Sequence, residues 1–145
     1  MFGFTKKEFV MRKILVIGGA CQGKTKWVQD NFKEYRQVSF QEVLRENRQG
    51  KVLSAIYLDS FHSITRGWIK EGGEYKKNLE CLRKTLSWVI VANEIGNGVV
   101  PMDPFERKWR EETGRMLCEL AKDADEVYRI YSGIPVQIKG GNKAW

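Results

Sequence analysis

At 145 residues, 42% hydrophobic and 30% charged, the chain has the composition of one globular domain, long enough to bury a core without disulfide staples. The formal charge of +7 suits an anionic ligand, but Lys and Arg are spread along the chain instead of clustering with aromatics, which argues for a solvated surface and against a nucleic-acid partner. No apolar run approaches the roughly 20 residues of a membrane helix, and Cys21, Cys81 and Cys118 show no C-x-x-C pair or histidine partner, so zinc and disulfide frameworks are disfavoured and a reduced, cytoplasmic setting is predicted.

The opening MFGFTKKEFV lacks a signal-peptide pattern; residues 1–10 read as an extension ahead of a single nucleotide-binding domain that fills 1–145. Lys13–Ile17 is a buried strand, and after Thr25 the residues Trp27, Val28, Phe32 and Tyr35 recur at helical spacing. QVSF at 37–40 predicts a second strand, followed by a short helix closed by Gly50. VLSAIYLD at 52–59 predicts a third strand ending in an acid, and 60–73 read ambiguously, with RGWIKEGG suggesting a loop. EYKKNLECLRKTL is amphipathic, with Leu79, Leu82 and Leu86 on one side. SWVIVANE at 87–94 is apolar on both faces, as in the middle of a parallel sheet. The loop IGNGVVPMDP leads to Asp103, which caps a helix with Pro104 in its first turn and a stripe of Phe105, Trp109, Met116, Leu117 and Leu120. EVYRIYSG and IPVQIKG close the chain as two strands joined at a Gly-Ile-Pro turn. The alternation predicts an α/β fold of the P-loop NTPase type: a mostly parallel sheet, helices on both faces, and an antiparallel strand near the C-terminus.

The chemistry starts at ILVIGGACQGKT. Gly18, Gly19, Ala20, Cys21, Gln22, Gly23, Lys24 and Thr25 match G-x-x-x-x-G-K-[ST] between a strand and a helix, the context in which backbone N–H groups and a helix N-terminus cradle phosphate. Lys24 then reaches the β- and γ-phosphates of ATP or GTP, and Thr25 ligates Mg²⁺. Cys21 reads as a spacer. Asp59, following three apolar residues, is the acid expected at the end of a neighbouring strand to hold the metal; capping of the next turn is its bland alternative. Asn93 and Glu94 fall at another carboxyl end of a strand, where ligands collect in open α/β sheets. Glu94 suits orienting a substrate hydroxyl, assisting the metal or bonding loop backbone. His62, the only histidine, is of a kind more often structural than catalytic, and Arg107 and Arg110 fit a solvated helix face as well as a phosphate contact.

Together the loop, YLDSF, and VIVANEIGNGVVPMDPFERKWREETGRM resemble the adenosylcobinamide kinase/adenosylcobinamide-phosphate guanylyltransferase family of cobalamin biosynthesis, whose fourth strand runs into a pattern like NEVGxGIVP. DADEVYRIYSGIPVQIKG is similar to the family's closing segment. The resemblance implies a kinase that uses GTP or ATP with Mg²⁺ to phosphorylate the aminopropanol hydroxyl of a corrinoid, with Lys24 and Asp59 carrying the electrostatics. It also implies a homo-oligomer, with a trimer as the expected form, without nucleic-acid partner or membrane span. Family members carry a histidine, the site of covalent guanylylation, in a longer segment before the strand-ending acid; here Gln37 to Asp59 is short and holds none. The kinase half is therefore expected and guanylyl transfer is not. A kinase for another small alcohol and a non-catalytic nucleotide-binding module are the alternative readings.

Overall fold

A computed structural model describes residues 11–94 and 102–140. A six-stranded sheet runs in the order β2-β3-β4-β1-β5-β6. Its strands are β1 (Lys13–Gly18), β2 (Arg36–Gln37), β3 (Ile56–Leu58), β4 (Trp88–Asn93), β5 (Glu126–Tyr131) and β6 (Ile134–Lys139). All pair in parallel except β5 with β6. Period-two alternation divides two cores across it. Leu15, Ile56, Leu58, Trp88, Ile90, Ala92 and Val127 face one core, while Ile14, Val16, Tyr57, Val89, Val91 and Ile130 face the other. The first core lies under α2 (Phe40–Arg48), α3 (Phe61–Lys70), α4 (Tyr75–Arg83) and α5 (Pro104–Asp123); the second takes Val28 of α1 (Lys24–Asn31) and Phe32 at its C-cap. Helices thus cover both faces of a mostly parallel sheet, as the alternation predicts.

Several boundaries differ from the sequence reading, each for a local reason. Residues 61–70 are helix, not loop: Phe61, Thr65, Trp68 and Ile69 recur at helical spacing and are all buried. The helical cost of Gly67, about 1 kcal/mol, is outweighed by burial worth about 1.5–3 kcal/mol for each large apolar side chain. The second strand is only Arg36–Gln37, because Ser39 caps α2: its Oγ accepts from the Glu42 N–H at 3.2 Å, and Phe40 opens the helix. The third strand shrinks to Ile56–Leu58, since Val52 is exposed and Ala55 sits at φ 54°, outside the β region. Leu86 lies beyond α4 and is exposed. Helix α1 ends at Asn31, and Tyr35 packs into the second core from outside it. The last turn is Ser132-Gly133, both at positive φ, with Ile134 and Pro135 already in β6.

The α5 cap is as expected: Asp103 Oδ1 accepts from the Phe105 N–H at 3.0 Å, and Met116 and Leu120 are buried. Helix α3 is pinned to α5 by the buried Thr65–Thr113 hydroxyl pair at 2.7 Å and by Trp109 Nε1, which donates to the His62 carbonyl at 2.9 Å.

Candidate active site

The loop Gly18–Thr25 leaves the carboxyl end of β1, between β4 and β5. Gly18 is a clearance residue: a Cβ there would lie 2.8 Å from the Ile130 carbonyl oxygen. Gly23 is a conformational one, at φ 85° as the N-cap of α1. The β5–β6 turn props the loop from outside. Gln22 Oε1 accepts from the Ser132 N–H at 2.6 Å, and its carbonyl accepts from the Gly133 N–H at 2.7 Å.

A cleft of about 420 Å³ opens over the loop, with Ala20, Cys21, Gln22, Gly23, Lys24 and Thr25 on one side and Asp59, Ser60, His62, Val91 and Asn93 on the other. Cys21 and Ser60 both hold left-handed φ, 60° and 53°, a strained backbone of the kind that clusters at functional sites. Lys24 is only 7% exposed, and its Nζ donates to the Gly19 carbonyl at 2.6 Å. Burial lowers its pKa below the ordinary value, against opposing pulls from Asp59, Cys21 and Glu94. The ammonium thus curls back on the loop.

Thr25 Oγ1 donates to Asp59 Oδ2 at 3.0 Å, and Asp59 Oδ1 accepts from the Ser60 N–H at 2.8 Å. The expectation of a neighbouring strand needs correction: β4 lies between β1 and β3, and Asp59 reaches Thr25 across it because both sit at carboxyl ends. A hydroxyl and a carboxylate at this separation are hard oxygen donors that suit Mg²⁺, which takes one or two protein oxygens and completes its shell with water and phosphate. Among the described residues no group of three or more His, Cys, Asp or Glu forms a self-sufficient cage.

Asn93 lines the cleft, whereas Glu94 is held by Arg129 of β5 through a bidentate pair, Nε to Oε1 at 2.9 Å and Nη2 to Oε2 at 2.7 Å. Arg107 is exposed, with Nη2 donating to the Met102 carbonyl at 3.4 Å, and does not line the cleft. The expected loop at 95–101 lies outside the described residues. Two residues that the sequence reading did not assign to the site belong to it. Tyr57 is buried, its hydroxyl beside Thr25 and Asp59 without a hydrogen-bond partner among the described residues. Burial and then Asp59 raise its pKa. Its position two residues before the acid, on the α1 side of β3, was the available signal. His62 is the other: its Nδ1 accepts the Asn93 backbone N–H at 2.9 Å, and burial, then Lys24, lowers its pKa.

Comparison with known proteins bears on these residues unevenly. The matching family model, "Cobinamide kinase / cobinamide phosphate guanyltransferase", covers residues 39–138 and so includes Asp59, His62, Asn93 and Glu94 but not the phosphate loop. The chain is 44% identical over 59 residues to the "Bifunctional adenosylcobalamin biosynthesis protein CobU" of Salmonella typhimurium, a stretch equal to 41% of this chain and 33% of that protein. The Escherichia coli protein of the same name is 42% identical over 59 residues, with the same coverage. The "Bifunctional adenosylcobalamin biosynthesis protein CobP" of Pseudomonas aeruginosa is 35% identical over 69 residues, 47% of this chain and 40% of that one. The chain thus matches a third to two fifths of the length of these curated relatives. With 100 of its residues under the family model, from 39 to 138, and a mostly parallel sheet carrying a phosphate loop, the chain belongs to the cobinamide kinase/cobinamide phosphate guanyltransferase family.

Proposed function

We propose that the protein is a cytoplasmic phosphotransferase that moves the terminal phosphoryl group of GTP or ATP onto the aminopropanol hydroxyl of adenosylcobinamide. The observation that carries this reading is the Thr25–Asp59 hydrogen bond, 3.0 Å long, inside the cleft over the glycine loop. It joins two of the residue types that phosphoryl transfer uses, a hydroxyl from the loop and the carboxylate that follows β3, within one cleft. Thr25 and Asp59 are the residues that would hold Mg²⁺, and the ion would supply charge neutralisation there. The loop N–H groups from Gly18, Gly19, Ala20, Cys21, Gln22 and Gly23 bind and orient the phosphates, and Lys24 leaves Gly19 to meet the charge that develops on them. Because such transfer needs positioning and charge stabilisation, no covalent nucleophile is required.

Asn93 faces the acceptor in this reading, and Glu94, paired with Arg129, serves the substrate indirectly. Guanylyl transfer through a histidine is not part of the proposal, since Gln37 to Asp59 contains none and His62 Nδ1 is already engaged. A homo-oligomer, with a trimer as its expected form, is also proposed; the exposed apolar side chains Ile134, Val136 and Ile138 on the edge strand support it. The partial match to the curated relatives favours one second reading, a kinase for a different small alcohol, because much of their length has no counterpart in these alignments.

The test is a mass-spectrometric endpoint assay with adenosylcobinamide, Mg²⁺ and a mixture of GTP and ATP. Lys24→Ala and Asp59→Asn serve as controls. Cobinamide phosphate without a GDP-linked product, lost in both variants, is the expected result. A GDP-linked product refutes the argument from the missing histidine, and nucleotide binding with no corrinoid product moves the acceptor to another alcohol.

A further inference from the structure

His62 lines the cleft and has no part in the proposed phosphoryl transfer. His62 is the first-turn residue of α3 that lines the cleft, and its backbone carbonyl is held by Trp109 Nε1 and Thr65 Oγ1 at 2.9 and 3.0 Å, so the ring stands on a fixed base. Its Nδ1 accepts the Asn93 N–H at 2.9 Å. A backbone amide can only donate, so Nδ1 carries no proton, and in the neutral ring the hydrogen must sit on Nε2. Among the described residues Nε2 has no protein partner. Lys24 and Asp59, which both line the cleft, are the charged groups that act on the ring. A neutral donor held without a partner, across the cleft from the phosphate loop, is arranged for an anionic oxygen.

We propose that His62 is a ligand-contacting residue, a neutral imidazole whose Nε2–H donates to an oxygen of the terminal phosphate of a nucleoside triphosphate bound in the loop. The Asn93 N–H is its positioning partner, selecting the tautomer from the far side of the ring. The role rests on the reading of Gly18–Thr25 as a triphosphate site. It adds a discrimination that the loop alone does not provide, because a diphosphate held by the same loop has no oxygen at that position.

His62 is the only histidine in the chain, so its imidazole ¹⁵N signals need no assignment. Uniformly ¹⁵N-labelled full-length protein is observed near neutral pH alone, with GDP and Mg²⁺, and with the non-hydrolysable GMPPNP or AMPPNP and Mg²⁺. The expected pattern is an Nε2-protonated tautomer in the free protein, with the Nε2–H signal moved by a triphosphate analogue and not by GDP. His62→Asn keeps an acceptor near the Nδ1 position for the Asn93 N–H while removing the donor from the Nε2 position. It should weaken the triphosphate analogue by about 10-fold or more and leave GDP within about 2-fold, the scale of one hydrogen bond to a charged group. An Nδ1-protonated ring, or binding of the analogue that leaves Nε2 unmoved, overturns the role of His62 alone. Equal weakening of GDP and the analogue in His62→Asn makes the residue structural and overturns it too. If no nucleotide binds, as judged from the Gly23 and Lys24 amides, the triphosphate-site reading falls, and the role of His62 with it.

Discussion

Replacing Gly18 by alanine isolates the clearance argument for the loop's first residue. The new methyl would lie 2.8 Å from the Ile130 carbonyl oxygen and 3.5 Å from its nitrogen. Both are backbone atoms of β5, which pairs with β1 up to Ile17 opposite Arg129. No side chain can rotate away, so either β5 shifts or the loop lifts from it. Overpacking of this kind costs about 1–3 kcal/mol. At about 2–4 °C per kcal/mol for a domain of this size, Tm should fall by about 2–12 °C. A shift of Ile130 also carries Ser132 and Gly133, the residues that anchor Gln22, so affinity for a triphosphate analogue should drop as well. Gly19→Ala is the control, because its nearest contact would be Gln22 Cγ at 3.7 Å, an ordinary packing distance. It should stay within about 0.5 kcal/mol of the parent. Urea denaturation and calorimetric binding of GMPPNP measure both quantities. If the two alanine variants prove equal in stability and affinity, the clearance argument is wrong.

Three further perturbations probe the site. Gln22→Ala removes the acceptor of the Ser132 N–H and should cost about 0.5–1.5 kcal/mol, with faster hydrogen exchange at the Ser132 amide; unchanged exchange there would separate the turn from the loop. Lys24 has a folded-state pKa below 10.5, so between the two values the unfolded chain binds more protons and stability rises with pH; charged Lys24 is a cost at neutral pH. Lys24→Met should therefore stabilise the nucleotide-free protein by about 0.5–2 kcal/mol while abolishing nucleotide binding, and a destabilised variant would contradict the burial argument. For His62 the folded pKa lies below 6.5 for the same reason, so its contribution to stability is lost as pH falls through about 6.5. The His62→Asn variant should show a shallower decline of urea midpoint from pH 7 to 5.5; an identical slope would mean that the ring takes up its proton equally in both states.

What could be read in the residues themselves was local. The phosphate loop, the acid after an apolar run, the Asp103 cap and the α5 stripe are patterns closed within a few residues, and physical chemistry acts on them at that range. Where local signals competed, the reading failed for a local reason that tertiary burial settled. Gly67 and Gly72-Gly73 suggested a loop, but Phe61, Trp68 and Ile69 had a core to enter, and α3 formed. Ser39 with Glu42 was a legible helix start that the apolar residues of QVSF masked.

Other features had no trace along the chain because they depend on which strands become neighbours. That β4 separates β1 from β3, that Arg129 claims Glu94 across the sheet, and that the turn at Ser132-Gly133 holds Gln22 are consequences of sheet order. The tautomer of the lone histidine is of this kind as well. The residue was visible from the start, but which nitrogen donates was decided by a backbone N–H that lies 31 residues away in the chain and is brought to 2.9 Å by the packing of α3 beside β4.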